Sequence, residues 1–291
     1  MKFILTGNRG LIGHFLLERL KARGDKPLLL IDKRETPSLE NPAPITDIAN
    51  IENHSLSQPV DVFIHLASFC KINKIVENPD LALQNNVIGM HKVMEFCRKN
   101  KIPKVVFTSS SRILSKEKNP YTASKIYGEE LVKGYSDAYG IEYVIIRPST
   151  VYGPFNDLTK RLIDIYILNA LQGKELKIFG DENKTLDFTY IDDFVDAMLL
   201  AMDQKNKAFD ISGEQPTKVS YVADLITKLA GQGKKEFYPP ETAQPQEVAL
   251  DISPLKALGY QPKVSIEEGV KRTFDWYKEH LDEVLKSRSE T

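Results

Sequence analysis

The sequence predicts an α/β fold, in which a doubly wound parallel sheet carries a smaller, discontinuous C-terminal lobe. Three observations predict it. Short apolar runs alternate with stretches of helix length, which is typical of parallel strands joined by right-handed crossovers. A glycine-rich loop joins the first apolar run to an amphipathic stretch, as at the ligand-binding edge of such sheets. Beyond residue 154 the alternation becomes irregular, which indicates a second lobe.

Composition and charge exclude several classes of protein. Apolar residues make up 42% of the chain and charged residues 27%, as in ordinary globular proteins. The formal net charge of -1 gives no field that would favour nucleic acid or a membrane surface. The first strand begins near the amino terminus and no apolar run has the length of a membrane span, so we expect a cytoplasmic protein. Cys70 and Cys97 lack metal or redox spacing and the histidines are scattered, so no metal site is predicted.

The elements and their grouping follow from the apolar periodicity. Strands of the main sheet are expected at 3–5, 28–31, near Ile45, 62–68, 105–107 and 143–148, with 209–211 returning to the sheet. Helices are expected at 11–23, about 81–99, 121–139, 162–171, about 220–230 and 266–285. Residues 1–155 with about 182–213 form the predicted sheet domain, and about 156–181 with 214–291 form the lobe. The charged tail from Lys286 is expected to fray.

The first loop has the features of a phosphate-binding turn. Glycines between a buried strand and a helix let the backbone approach a pyrophosphate, and the helix start offers unpaired N–H groups. The predicted cofactor contacts are Gly7, Asn8, Arg9, Gly10, Leu11, Ile12 and Gly13. A tight turn without a ligand is the alternative.

Asp32 ends the second strand, 19 residues after Gly13. A carboxylate there can hold the adenosine ribose hydroxyls and repel a 2′-phosphate, which favours NAD over NADP. Lys33 and Arg34 follow directly and could offset that preference. A turn residue at a strand end is the alternative interpretation of Asp32.

Polar and small residues follow the later strands, where doubly wound sheets bind their ligands. We expect cofactor contacts from Leu66, Ala67, Ser68 and Ser109. Asp47 either faces the adenine, with Ile48 beside it, or caps the next helix. Asn86 either bonds backbone or cofactor, or is an ordinary helix residue.

Tyr121 and Lys125 are four positions apart and so share one face of the predicted helix 121–139. A phenol with a pKa of about 10 is a poor base at neutral pH. A fixed cation nearby would favour the phenolate and bring its pKa toward working pH. Chance spacing is the alternative. Ser110 lies eleven residues upstream at the end of a central strand, where such sheets bind their ligands, although a serine that caps a loop is the alternative.

Together these residues resemble the extended short-chain dehydrogenase/reductases of the NAD-dependent epimerase/dehydratase group. The matching segments, in the family's order, are Thr6-Gly7-x-x-Gly10-x-x-Gly13, Asp32, Asp47-Ile48, His65-Leu66-Ala67, Asn86-Val87-x-Gly89, the Thr108–Ser111 serine strand, Tyr121-x-x-x-Lys125, Arg147-Pro148-x-x-Val151-Tyr152-Gly153-Pro154, Asp187-Phe188-x-Tyr190-Ile191-x-Asp193, Leu258-Gly259-Tyr260-x-Pro262 and Glu267-Glu268-Gly269.

The resemblance implies a Rossmann domain that binds NAD, and a lobe that binds a sugar nucleotide. Tyr121 would be the general acid/base, Lys125 would lower its pKa and bond the nicotinamide ribose, and Ser110 would hold the reacting oxygen. Pro148 would join the cofactor contacts. The resemblance also implies a homodimer through a four-helix bundle built from 121–139 and about 81–99.

The chemistry expected from the resemblance is epimerisation, with C4 of a UDP-sugar as the first choice. Dehydratases of the family usually carry Asp-Glu just after the catalytic Ser/Thr, and decarboxylases usually carry a glutamate nearby. Here Ser111, Arg112, Ile113 and Leu114 follow Ser110, with no carboxylate. A net NAD(P)-dependent reductase or dehydrogenase, or a non-catalytic NAD-binding protein, are the alternatives.

Substrate contacts depart from the family pattern. Leu186 and Gln244 replace two arginines that usually hold the substrate's diphosphate. Lys160 and Arg161 could supply the missing charge, although a solvated charged face is equally compatible with them. Ser111 and Arg112 are the other expected substrate contacts.

Overall fold

The computed structural model describes residues 1–33, 47–213, 215–241, 248 and 250–289. Its strands are β1 Lys2–Thr6, β2 Lys26–Ile31, β3 Val62–His65, β4 Lys104–Thr108, β5 Glu142–Pro148, β6 Thr150–Tyr152, β7 Glu175–Phe179, β8 Thr185–Leu186, β9 Phe188–Tyr190, β10 Lys207–Ile211, β11 Thr217–Lys218 and β12 Lys234–Tyr238. Its α-helices are α1 Leu11–Ala22, α2 Ile72–Glu77, α3 Asp80–Ala82, α4 Gly89–Lys99, α5 Pro120–Tyr139, α6 Leu162–Leu171, α7 Ile191–Met202, α8 Val219–Ala230, α9 Ser253–Lys256, α10 Ile266–Glu279 and α11 Leu281–Ser289.

The main sheet of the described residues has six strands in the order β10-β5-β4-β3-β1-β2, and every neighbouring pair is parallel. The predicted return of 209–211 to this sheet is confirmed, because β10 pairs with β5. The strand predicted near Ile45 lies outside the described residues. The chain leaves β1 toward β2 on one side and later places β3 on the other. The carboxyl ends of β1 and β3 therefore form the crevice where such sheets bind ligands.

Helices cover both faces of the sheet, as the doubly wound fold requires. One buried apolar cluster joins β1 to α1 and α7, and it includes Leu16, Leu20 and Phe194. A second cluster lies on the opposite face beneath α4 and α5, around Val93 and Val132. Strand side chains alternate between these clusters: Phe3 and Leu5 belong to the first, and Ile4 to the second. The predicted fold class is confirmed.

Smaller pairings lie outside the main sheet. Strands β7 and β12 are parallel, β6 and β9 are parallel, and β8 and β11 are antiparallel. Helices α6, α8 and α10 contact one another beside them. The first apolar cluster includes residues of the main sheet, such as Phe3, and residues of the C-terminal part, such as Val270. The exact division into two lobes stays a prediction.

Two helices differ from their predicted form. The stretch predicted as one helix at about 81–99 contains a π-helical segment, Leu83–Ile88, before α4. The stretch predicted at 266–285 stops at His280, and α11 follows. For residues 286–289 the expectation of a frayed tail is wrong, because α11 continues to Ser289 and Arg288 bonds the Asp157 carbonyl at 3.0 Å. The last two residues of that tail lie outside the described residues. Among the described residues, no helix combines the length and apolar character needed to cross a membrane.

Candidate active site

The glycine loop lies between β1 and α1 and is tightly packed. Gly7 has φ +76°, and a Cβ there would lie 2.9 Å from the Ala67 nitrogen. A Cβ on Gly13 would lie 2.1 Å from the Gly7 carbonyl oxygen, so the first turn of α1 rests directly on the loop. The Gly10 amide donates to the same oxygen at 3.1 Å. Glycine is therefore required at position 7 by left-handed backbone and close approach, and at position 13 by close approach.

The start of α1 is suited to an anion. Gly10 caps the helix without a side-chain hydrogen bond, and no acidic residue lies in its first turn. Leu11 is buried and Ile12 packs against the core, which fixes the helix direction. The side-chain oxygen and nitrogen of Asn8 are buried and have no hydrogen-bond partner among the described residues. Helix N–H groups and an unpaired amide beside glycine backbone fit a pyrophosphate.

Asp32 lies beside the same loop. It is buried, and its Oδ2 accepts the backbone N–H of Arg9 at 3.0 Å. The carboxylate therefore belongs to the glycine-loop cluster rather than to a solvated turn. Lys33 is exposed and donates from Nζ to Asn85 Oδ1 at 2.6 Å.

The end of β3 is fixed by hydroxyl and amide side chains. Thr6 Oγ1 accepts the N–H groups of Leu66 at 3.2 Å and Ala67 at 3.1 Å. Asn86 Oδ1 accepts the Phe69 N–H at 2.8 Å, and its Nδ2 donates to the Phe69 carbonyl at 3.0 Å. The Ser68 hydroxyl also donates to Asn86 Oδ1, at 3.1 Å. Asn86 therefore bonds backbone, one of the alternatives expected for it.

Asp47 caps a short helix. Its Oδ1 accepts the Ala49 N–H at 3.0 Å, and a 3₁₀ helix, Ile48–Asn53, follows. Ile48 lies against Gly89, whose Cβ would come within 3.3 Å of it. The capping alternative is thus the one that the structure shows.

The three predicted catalytic side chains meet at the carboxyl end of β4. Tyr121 lies in the first turn of α5, which begins with a capping box between Asn119 and Thr122. Ser110 lies close enough to Tyr121 to lower the pKa of the phenol. Lys125 Nζ lies 6.0 Å from the centre of the Tyr121 ring and donates to the Thr108 carbonyl at 2.8 Å. The helix and the strand end therefore place phenol, serine and ammonium in one cluster.

The charges in this cluster differ from the expectation. Burial raises the pKa of Tyr121 to about 12, and the nearby Cys70 adds to the rise. The Ser110 side chain and then the charges of Arg112 and Arg161 lower it, but they do not outweigh burial. Burial also lowers the pKa of Lys125 to about 8. The prediction that Lys125 brings the phenol toward working pH is not met in this geometry, because desolvation dominates.

The remaining predicted residues lie around this cluster at different depths. Ser109 is buried, its N–H donates to the Ile146 carbonyl at 2.7 Å, and its hydroxyl has no partner among the described residues. Pro148 ends the neighbouring strand β5 and is half-buried. Ser111 is buried at the start of a 3₁₀ helix, Ser111–Leu114.

The two cations expected in the lobe behave differently. Arg161 donates from Nε to Asp157 Oδ2 at 2.7 Å and from Nη1 to the Val151 carbonyl at 3.2 Å, and its charge acts on Tyr121. Burial is the largest single effect and lowers the pKa of Arg161, but Asp157, Cys70 and Asp164 together outweigh it, so the pKa is raised. Lys160 is exposed with φ +57°, which matches a solvated residue.

Three residues beside the site were missed by the sequence reasoning. Cys70 is exposed and close enough to affect the pKa of Tyr121. Asp157 pairs with Arg161, and Asp164 lies buried near both. The position of Cys70, five residues beyond the end of β3, could have placed it at the ligand edge. Asp157 and Asp164 gave no signal, since their burial depends on the packing of the lobe.

Comparison with known proteins identifies the family. The model of the NAD dependent epimerase/dehydratase family matches residues 3–212. A putative UDP-glucose 4-epimerase of Methanocaldococcus jannaschii is 32% identical, over 94% of this chain and 98% of that protein. The chain belongs to the NAD dependent epimerase/dehydratase family.

Other members of the family show the range of its chemistry. The solved structure of the UDP-glucuronic acid 4-epimerase from Bacillus cereus, in complex with UDP-glucuronic acid and NAD, has a TM-score of 0.83 at 25% identity and covers 96% of this chain and 99% of that one. A UDP-N-acetyl-alpha-D-glucosaminuronate decarboxylase of Bacillus cytotoxicus is 28% identical over 95% of this chain and 97% of that protein. NAD, the expected cofactor, is thus the cofactor of the family, whereas the reaction type varies within it.

Only one of the two residues that replace the usual diphosphate-binding arginines lies within the described residues. Leu186 is half-buried in β8, where it pairs with Thr217. Gln244 lies outside the described residues.

Proposed function

We propose that the chain is an NAD-dependent epimerase that inverts C4 of a UDP-sugar through a transient keto intermediate. The observation that carries the proposal is the cluster of Ser110, Tyr121 and Lys125 at the carboxyl end of β4, where Ser110 is close enough to lower the pKa of the phenol. Oxidation at a hydroxyl-bearing carbon requires a base for the hydroxyl proton and a donor for the developing oxyanion, and these side chains supply both.

The residues of the glycine loop and the strand ends would hold the cofactor. Gly7, Gly13 and the start of α1 would cradle the pyrophosphate, with Asn8 beside it and Asp32 toward the adenosine ribose. When bound, NAD supplies a hydride acceptor that later returns the hydride, and its oxidised ring is cationic. Ser109, Pro148 and Lys125 would lie along the nicotinamide end, and Leu66, Ala67 and Ser68 along the opposite strand end. We expect tighter binding of NAD than of NADP, because Asp32 would face a 2′-phosphate.

Tyr121 would take the proton from the C4 hydroxyl and return it to the same oxygen after the keto sugar has turned its other face toward the cofactor. Ser110 would orient that oxygen, and Arg112 and Arg161 would stabilise the phenolate by their charge. The absence of a carboxylate directly after Ser110 supports epimerisation over dehydration. Glu117, the first carboxylate after it, accepts the Ser115 hydroxyl and belongs to the loop before α5.

The proposal is tested by turnover of UDP-glucose and UDP-glucuronic acid with NAD, followed by proton NMR at C4. Tyr121→Phe should reduce kcat by about 10²- to 10⁴-fold and leave NAD affinity nearly unchanged. Tyr127→Phe, on the exposed side of the same helix, is the matched control and should behave as wild type. Near-normal turnover of Tyr121→Phe would refute the role of the phenol. Net accumulation of NADH would indicate a dehydrogenase, and loss of carbon dioxide a decarboxylase.

We also propose that the chain forms a homodimer through α4 and α5 with the π-helical segment before α4. Large apolar side chains are exposed along this surface: Leu83 at 45%, Ile88 at 36% and Ile126 at 36%. Gly134 of α5 is also exposed, and a Cβ there would meet nothing within 4 Å. A small residue among exposed apolar ones allows the close helix approach that a four-helix bundle needs.

A further inference from the structure

We infer that Arg288, in the last turn of the C-terminal helix α11, is a positioning residue that holds the loop 155–161 and thereby directs Arg161 at Tyr121. The inference rests on the proposed function, in which Tyr121 is the base. Arg288 lies far from Tyr121 in sequence, and no motif of the family marks it.

The carboxyl terminus holds this loop at several points. Arg288 Nη2 donates to the Asp157 carbonyl at 3.0 Å and contacts the Tyr277 hydroxyl at 3.3 Å. The same Tyr277 hydroxyl donates to the Phe155 carbonyl at 2.9 Å. Two successive parts of the loop are therefore bound to the last two helices.

Asn156 adds a second link between the loop and α11. Its Nδ2 donates to the Ser287 hydroxyl at 2.7 Å, and its Oδ1 lies 3.5 Å from Arg288 Nε. The planar guanidinium can bond two groups at fixed angles. Arg288 therefore constrains the direction of the loop as well as its distance from α11.

Asp157 transmits the constraint to Arg161. While its carbonyl accepts Arg288, its carboxylate accepts Arg161 Nε at 2.7 Å and is almost fully buried. The Asp157 carboxylate also accepts the Thr159 N–H at 2.8 Å, and its carbonyl accepts the Lys160 N–H at 3.1 Å. Asp157 thus accepts a hydrogen bond from Arg288 through its main-chain carbonyl and holds Arg161 in position through its carboxylate.

Arg161 is the part of this chain of contacts that acts on the site. Its charge lowers the pKa of Tyr121, which burial otherwise raises. Interactions between charges fall off with distance and are strong where water is excluded. A small displacement of Arg161 therefore reduces its stabilisation of the Tyr121 phenolate. The last helix of the chain therefore contributes to the base without touching it.

The test compares Arg288→Ala with Lys286→Ala, which removes the same charge from an exposed position on the same helix. We expect Arg288→Ala to lose about 10- to 100-fold in kcat/KM, as a misplaced catalytic contact does, with NAD affinity unchanged. Arg288→Lys should recover part of the loss. In an Arg161→Met background, Arg288→Ala should cost nothing further, because the effect passes through Arg161. Equal rates for the two alanine variants, or additive losses, would overturn the inference.

Hydrogen exchange provides a readout that needs no substrate. In Arg288→Ala, the amides of Thr159 and Lys160 should exchange several-fold faster, while those of α5 should not change. Unchanged exchange in the loop overturns the anchoring. A wild-type chain that converts no sugar nucleotide would instead refute the proposed function, and the exchange result would still decide whether Arg288 holds the loop.

Discussion

Replacing Gly7 by alanine tests whether the glycine loop is shaped by contact with the end of β3. The backbone at Gly7 has φ +76°, and an added Cβ would lie 2.9 Å from Ala67 N and 3.1 Å from the Leu66 carbonyl carbon. Gly140 has nearly the same conformation, φ +70°, but a Cβ there would meet nothing within 4 Å. Gly140→Ala therefore carries the backbone strain alone, and Gly7→Ala carries strain and crowding.

The two costs can be separated in magnitude. Left-handed backbone costs an alanine about 1–2 kcal/mol, so Gly140→Ala should lower the free energy of unfolding by about that amount. Crowding against main-chain atoms costs a further 1–3 kcal/mol or so. Gly7→Ala should therefore lose about 2–5 kcal/mol. Ala67 is bonded to Thr6 Oγ1 through the crowded nitrogen, so it cannot move away without breaking that bond.

The assay is urea unfolding of both variants at one protein concentration, together with NAD affinity by calorimetry. We expect Gly140→Ala to bind NAD as wild type does. A displacement of the loop in Gly7→Ala that costs 1.4 kcal/mol or more of binding energy weakens NAD at least about tenfold. Equal destabilisation of the two variants would show that crowding against Ala67 adds no cost to Gly7→Ala. Normal NAD affinity in Gly7→Ala would show that the glycine loop is not part of the cofactor site.

Two further predictions concern a buried acid and the proposed dimer. Burial, with repulsion from Asp157, raises the pKa of Asp164 to about 8 from an ordinary value of 3.8. Between those two pH values only the folded state keeps the proton on Asp164. The stability that this proton contributes is complete below about pH 4 and is lost as the pH rises to about 8. Asp164→Asn should flatten this part of the stability curve in urea titrations at pH 5 and pH 8, and an unchanged slope would contradict the assignment. Ile126→Asp should convert a dimer to monomers in light scattering, whereas Leu229→Asp, at an equally exposed apolar position on α8, should not; a monomeric wild type would rule the dimer out.

Much of the sheet and the catalytic cluster could be predicted from local signals. The run ending at Thr6, the glycines after it and Asp32 are close in sequence, and parallel pairing brings Ile31 beside Thr6. Ser110 and Tyr121 meet because a strand end and the next helix start share one edge of the sheet. These predictions depend on backbone periodicity, which a single sequence contains.

The properties that escaped prediction depend on packing. The direction of the pKa shift of Tyr121 is set by burial, which the Tyr121/Lys125 spacing does not report. The bonds of Arg288 to Asp157 and Asn156 join residues separated by more than a hundred positions, and its neighbours in sequence resemble a frayed, charged tail. Asn86 presented two alternatives because helix position alone does not say which loop faces its amide.

The charges around Tyr121 connect its strength as a base to the lobe. Lys125, its neighbour on α5, is buried, with its ammonium on the Thr108 carbonyl and its pKa lowered to about 8. The cations that lower the pKa of Tyr121 are Arg112, after β4, and Arg161, on the loop that α11 holds. In a desolvated site, the loss of either charge changes the energy of the phenolate more than it would in water. The catalytic helix thus presents the phenol, and neighbouring loops set how readily it ionises, so variants in those loops should alter turnover without altering the fold.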